Sequence, residues 1–297
     1  MMQKINRHSV SITVHKSWTG LTIQELFRNI WQAPKKLVHQ IRMDRSLTVN
    51  GDVINWNTPL QLNDIIEVSL QKTDVTNNIS TSLPIDILFE DDHMLVVNKP
   101  AGMQTHPNSP NEKNTLVDAV TFYLQESSAQ PIHRLDQDTS GAILFSKHEL
   151  SHGVFNQMLE KRNVGRMYWA LVDGLLSDNG VINKPIGRDR HHPTRRRVSK
   201  TGQSALTHYR VLDLFKQNKL SLVECTLETG RTHQIRVHLS HIGHPIAGDV
   251  LYQGSSIFPR QALHARELSF TNPFTLEVIQ VTAPFNDKTP IFEPFLS

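Results

Sequence analysis

Nine consecutive residues, His133-Arg134-Leu135-Asp136-Gln137-Asp138-Thr139-Ser140-Gly141, gather an imidazole, a guanidinium, two carboxylates and two hydroxyls. The apolar run Ala142-Ile143-Leu144-Phe145 follows at once. A carboxylate on a turn at the mouth of a strand is well placed for chemistry, because a loop on a rigid scaffold presents one side chain to a ligand. A capped surface turn explains the same residues: Asp136 and Thr139 satisfy backbone groups and Arg134 pairs with Asp136. On local chemistry alone the capped turn is the better account. A hydrolase using Asp136 and Asp138 as a carboxylate pair is a third reading. It needs both groups on one face, and residues two apart project alike only on a strand, whereas this stretch reads as a turn.

Other chemistry-bearing residues lie far from this stretch. Lys99 ends an apolar run and precedes Pro100 and Gly102, a strand end passing into a turn. Met167 to Val172 is a strand candidate, and an aromatic such as Tyr168 on a strand is ordinarily half-buried core. Arg188, Arg190, Arg195, Arg196, Arg197 and Lys200 form the densest basic run in the chain. A basic loop between strands suits a phosphate backbone, although a solvated charged loop is the plainer account. Between Leu227 and Tyr252, Ile235, Leu239 and Ile242 fall at helical spacing and Gly243 is a reasonable stop. His233, His238, His241 and His244 do not make a metal site: no glutamate completes an HExxH pattern, and three of them face different ways on one short helix.

The elements that must position these groups divide the chain in two. A length of 297 residues suggests two domains. Thr22 to Glu25 reads as a capping box, followed by an apolar face of Ile23, Leu26, Phe27, Ile30 and Trp31. Pro34 ends that helix and opens a second with Leu37, Val38 and Ile41 on its face. Asn50-Gly51 between alternating apolar residues predicts a hairpin, and 65–70 a further strand. Residues 1–72 are therefore expected to form a small α/β domain, 73–83 a polar linker and 84–297 a second domain. In the second domain strands outnumber helices, with helices expected over 115–125 and 150–161, so an α+β fold with a mainly antiparallel sheet is expected. Residues 284–297 read as a loosely packed tail.

Net charge is +3, from 31 basic and 28 acidic residues, mild support for an anionic partner. The single cysteine, Cys225, excludes an internal disulfide and a multi-cysteine zinc site, and fits a reducing cytoplasm. The N-terminus lacks the apolar core of a secretory signal, and no run approaches the ~20 residues of a membrane span.

The stretch HRLDQDTSG resembles the signature of the RluA-type pseudouridine synthases, which isomerise uridine in RNA. NKPAG at 98–102, Thr105-His106-Pro107, the Arg166/Tyr168/Ala170/Val172/Gly174 frame, Gly202/Ala205/Thr207/Tyr209 and GRTHQIRVH…GHPIAGDVLY agree with the same family in the same order. The resemblance covers about residues 84–285. It implies the pseudouridine synthase fold, a mixed and mainly antiparallel central sheet with a cleft across its middle. Residues 1–72, with VNG in the turn and LQLNDIIEV closing, look like an S4-type RNA-binding domain.

By that resemblance Asp136 is the catalytic carboxylate, Tyr168 packs on the base and helps deprotonate C5, and Arg236 pairs with Asp136. Arg134 assists flipping and His133 orients the motif. Lys99, Arg195, Arg196, Arg197, Lys200 and Arg231 are expected with Arg134 and His133 among the RNA-binding groups. Asp138 occupies a variable position and has no role. The implied activity is conversion of specific uridines in structured RNA to pseudouridine, in 23S rRNA rather than tRNA because of the S4-like domain. No cofactor or metal is expected, nor a membrane partner, and the chain is expected to act as a monomer. A non-catalytic RNA-binding protein that kept the fold is the alternative; it would become attractive if Asp136, Tyr168 or Arg236 were missing, and none is.

Overall fold

In the computed structural model the described residues are 7–71, 83–107, 109, 112–124 and 129–296. The expected linker falls almost wholly outside them. The N-terminal unit has β1 (Arg7–Thr13), α1 (Ile23–Glu25) running into a π turn over Leu26–Ile30, α2 (Lys35–Met43), β2 (Leu47–Val49) and β3 (Ile65–Gln71). Its sheet order is β1-β3-β2. The expected capping box is present: Thr22 and Glu25 satisfy each other's backbone N–H groups.

Two local expectations fail here. The widened π turn rotates the helix face, so Ile30 is exposed whereas Phe27 and Trp31 are buried. Asn50 and Gly51 do make a left-handed turn, φ 52° and 87°, closed by a Val49–Asp52 bridge. No strand follows, because β2 pairs instead with β3 and the Asn50 side chain bonds the Ile65 N–H and Asp64.

The second unit continues with β4 (Asp86–Glu90), β5 (Met94–Lys99), α3 (Leu116–Leu124), β6 (Gln130–Pro131), β7 (Ser140–Ser146), α4 (Glu149–Glu160), β8 (Gly165–Asp173), β9 (Gly180–Asn183), β10 (Ile186–Arg188), β11 (Arg196–Val198), β12 (Leu206–Phe215), β13 (Leu220–Leu227), α5 (Gln234–His241), β14 (Leu263–Thr271) and β15 (Val278–Thr282). The main sheet runs β4-β5-β7-β14-β8-β13-β12-β9, with β15 beside β14 and β6 beside β7. Among the described residues, only the β7–β14 pairing is parallel. Strands β5 and β7 are buried at every position, as expected of a sheet covered on both faces. Leu95, Val97, Ile143 and Phe145 pack with α3 and α5; Met94, Val96, Ala142 and Leu144 face the other way, towards α4.

That second face is shared. Trp18, Phe27 and Trp31 of the N-terminal unit belong to the same apolar core as Phe155, Phe270 and Phe274. The Trp31 ring meets Phe274 edge-on at 5.5 Å and its indole N–H donates to the Pro273 carbonyl at 3.0 Å. The two expected domains are thus docked through a common core. The expected loose tail is likewise packed: Ile291 and Phe292 are buried, Phe292 stacks on Phe285 at 4.8 Å, and Asp287 pairs with Arg260 at 2.7 Å. Its phenylalanines Phe285, Phe292 and Phe295 pack against Trp169, His264 and Phe215 of the sheet.

Candidate active site

One row of residues crosses the middle of the sheet in register: Lys99 on β5, Gly141 on β7, Ala265 on β14, Tyr168 on β8 and Cys225 on β13. The nine-residue stretch is the turn that enters β7 at this row. Gly141 has φ +111°, and a Cβ there would overlap the Ala265 carbonyl, so the parallel β7–β14 approach requires glycine.

The turn is braced from beneath. Lys99 is fully buried, and its ammonium donates to the carbonyls of Pro100 (2.9 Å), Met103 (2.7 Å) and Gln137 (2.8 Å). Burial pulls its pKa down to about 7, against the opposing pull of Asp138 and Asp136. Lys99 therefore holds the loop around the turn and has no surface for RNA, contrary to expectation. Thr105 Oγ1 donates to the Leu135 carbonyl, and Arg260 donates to the Asp138 carbonyl and to Ser140 Oγ. Asp138 itself is exposed.

Asp136 projects into a cleft of about 590 Å³ that also holds Tyr168 and Arg236. Arg236 comes from α5, a hundred residues away, and its Nη1 donates to Asp136 Oδ2 at 2.9 Å. Its other edge is clamped by Asp249, Nε to Oδ2 at 2.7 Å and Nη2 to Oδ1 at 2.8 Å. The Tyr252 ring lies under the guanidinium at 5.0 Å. Arg236 therefore points one donor at Asp136 and is fixed by everything else it touches. Gln234 anchors the start of α5 to β12 through the Leu206 carbonyl and Thr207 Oγ1. Asp136 Oδ1 accepts no hydrogen bond among the described residues, which leaves it for a ligand.

His233 sits 3.8 Å from Asp136, at a left-handed φ of 58°. Tyr252 Oη accepts the Arg196 N–H and lies 2.8 Å from His233 Nδ1; the tautomer in which the phenol donates to Nδ1 puts the imidazole proton on Nε2, facing Asp136. Burial lowers the His233 pKa against the pull of Asp136, which favours the neutral ring. Tyr168 is buried, and burial raises its phenol pKa, so the hydroxyl is protonated at neutral pH.

The other expected residues distribute as follows. Arg134 is exposed on the cleft wall, 3.3 Å from His106 Nε2. Arg231 stands at the lip, its Nε donating to the Ser204 carbonyl. His133 also lines the cleft, but its Nε2 accepts the Leu144 N–H and burial lowers its pKa to about 3, so it carries no charge for a phosphate. Arg195, Arg196 and Arg197 lie outside the cleft, on or next to β11 of the β10–β11 hairpin, and line a neighbouring depression beyond Tyr252. Arg195 is paired with Asp189 at 2.6 Å. Lys200 is exposed at the turn that follows. His238 on α5 is spent elsewhere, meeting Thr207 Oγ1 and the Lys184 carbonyl.

Sequence reasoning missed Asp249, Tyr252 and the position of His233. All three stood in the strings that carried the resemblance, but an aspartate after Gly248 reads locally as a turn residue.

A profile described as RNA pseudouridylate synthase matches residues 93–241, and the chain belongs to that family. It is an RNA pseudouridine synthase of the RluD type: a second profile, the RluD ribosomal pseudouridine synthase N-terminal domain, matches residues 10–66. The chain is 43% identical over 282 residues to an uncharacterized RNA pseudouridine synthase, YhcT, of Bacillus subtilis, covering 93% of each. It is 35% identical to ribosomal large subunit pseudouridine synthase D of Nitrosomonas europaea, covering 95% of this chain and 86% of that one. Among solved structures, human RNA pseudouridylate synthase domain containing 1 superposes with a TM-score of 0.59 at 27% identity, over 69% of this chain and 85% of that one.

Proposed function

We propose that this protein converts specific uridines of 23S rRNA to pseudouridine, with Asp136 as the essential carboxylate. The observation that carries the assignment is the fixed Arg236 guanidinium, which holds one oxygen of Asp136 at 2.9 Å and leaves the other open to the cleft. The ribosomal substrate is supported by the names of relatives such as ribosomal large subunit pseudouridine synthase D and by the N-terminal profile. A ribosomal substrate puts the protein in the cytoplasm. We assign it a monomeric state and no cofactor.

The reaction breaks the N1–C1′ bond, turns the uracil and joins C5 to C1′. It is an isomerisation, so no electrons or groups are gained or lost. An ionised carboxylate serves it in one of two ways: it attacks C1′, as in retaining glycosidases, or it takes the 2′ proton to give a glycal. A nearby guanidinium favours the ionised form in either case. The uridine must leave its stack, at about a few kcal/mol in a duplex, and Arg134 on the cleft wall is suited to the vacated space. Tyr168 packs against the freed base. Its neutral phenol takes the C5 proton only as a relay, giving its own proton up to solvent while N1, freed from C1′, takes one up, so that protons balance.

The test is Asp136→Asn against an unmodified 23S rRNA transcript, with folding checked by circular dichroism. Pseudouridine formation at the wild-type rate would remove Asp136 from the mechanism.

A further inference from the structure

Two residues above Tyr168 on the same face of β8, about 7 Å along the strand, lies a cation that the chemistry so far does not use. Arg166 is 6% exposed and lines the cleft. Its guanidinium has no hydrogen bond or ion pair among the described residues, and its Nε is enclosed without an acceptor. Of the carboxylates lining the cleft, Glu228 holds Arg162 and His208, Asp136 holds Arg236, and the exposed Glu160 makes no ion pair with Arg166 among the described residues. His133, close enough for Arg166 to help keep it neutral, adds a second unmet donor. With its Nε2 accepting from Leu144, its proton is on Nδ1, which has no partner. Across the cleft the backbone of Gly230 makes room for the guanidinium, since a Cβ there would stand 2.7 Å from Nη1.

A buried charge without a counter-ion is costly, and folded proteins keep one where a ligand completes it. Uracil and ribose are neutral, so the anion that RNA brings into this cleft is a phosphodiester. We propose that Arg166 is a preformed subsite for an RNA phosphate next to the target uridine, anchoring the flipped nucleotide while Tyr168 packs its base. The proposal rests on the chain acting on RNA and deepens that reading.

Arg166→Gln and Gly230→Ala test it by different routes, the first removing the charge and the second displacing it. The probe is unmodified 23S rRNA transcript, with filter binding over a salt series alongside pseudouridine formation. Loss of one charged contact predicts a ten- to hundred-fold rise in Kd and KM for Arg166→Gln, and a salt slope shallower by about 0.7–0.9. Gly230→Ala shifts affinity in the same direction. Removing an uncompensated charge also predicts an unchanged or higher Tm for Arg166→Gln. An unchanged slope, even with raised KM, would mean a neutral acceptor such as a uracil carbonyl and overturns the proposal; so does a lowered Tm with unaltered binding. If the wild-type protein binds the transcript with a salt slope that Arg166 sets but forms no pseudouridine, the fault lies in the substrate assignment and the phosphate subsite stands.

Discussion

Asp249 and Asp136 share one arginine, and the structure predicts opposite consequences for removing each. Asp249 is 1% exposed at its side chain and clamps Arg236 through two bonds of 2.7 and 2.8 Å. Asp249→Asn preserves shape but sets an amide N–H₂ against a guanidinium N–H, leaving a buried cation held by Asp136 alone. Breaking one side of a buried pair costs about 3–5 kcal/mol. At about 2–4 °C per kcal/mol for a chain approaching this size, Tm should fall by roughly 6–20 °C. Asp136, 20% exposed and held by a single bond of 2.9 Å, should cost far less when made Asn, about 1–2 kcal/mol. Activity should rank the other way, with Asp136→Asn abolishing pseudouridine formation and Asp249→Asn retaining a measurable rate below its lowered Tm. The assay is scanning calorimetry of both variants beside product formation at 20 °C. A Tm for Asp249→Asn within 2 °C of wild type would refute the claim that Arg236 is fixed through Asp249.

Tyr168→Phe keeps the ring and removes the oxygen. If that oxygen relays the C5 proton, turnover should fall about 10²-fold or more with RNA affinity unchanged, and wild-type turnover in single-turnover kinetics would leave Tyr168 a packing role alone. Stability should also depend on pH with a definite sign. Burial lowers the pKa of His264 to about 4 and that of His133 to about 3, so the unfolded chain binds protons below about 6.5 that the folded chain does not. Stability must then fall with pH across this window, by about 2 kcal/mol per histidine at pH 5. Urea unfolding at pH 7 and pH 5 reads this directly, and a midpoint that holds or rises at pH 5 contradicts it.

Much of the site could be read from the chain because its parts are carried by long residue-specific strings. The Asp136 turn, the Tyr168 strand and the Arg236 helix all converge on one cleft, although 100 residues separate Asp136 from Arg236. Lys99 was misread for a physical reason: a lysine at a strand end before proline is usually solvated, and only tertiary contact puts three carbonyls around it. Asp249 escaped because its role depends on the far edge of a guanidinium whose near edge was already assigned. The hairpin at Asn50-Gly51 failed because turn chemistry fixes the turn and not the partner of the strand that precedes it. The tail and the domain seam were hidden for a common reason. Phe274, Phe285 and Phe292 lie in segments with little periodicity, and the helical face that shows Trp31 to be apolar does not show what it packs against, because their burial is decided by surfaces that fold elsewhere.

The central claim is that a single carboxylate, oriented by Arg236, rearranges uridine within RNA. The most direct measurement is pseudouridine content of an unmodified 23S rRNA transcript after incubation with wild-type protein and with Asp136→Asn, mapped to single nucleotides. The account predicts pseudouridine at defined positions with wild-type protein, none above background with the variant, and comparable RNA binding by both. Pseudouridine formed equally by the folded Asp136→Asn protein would contradict it.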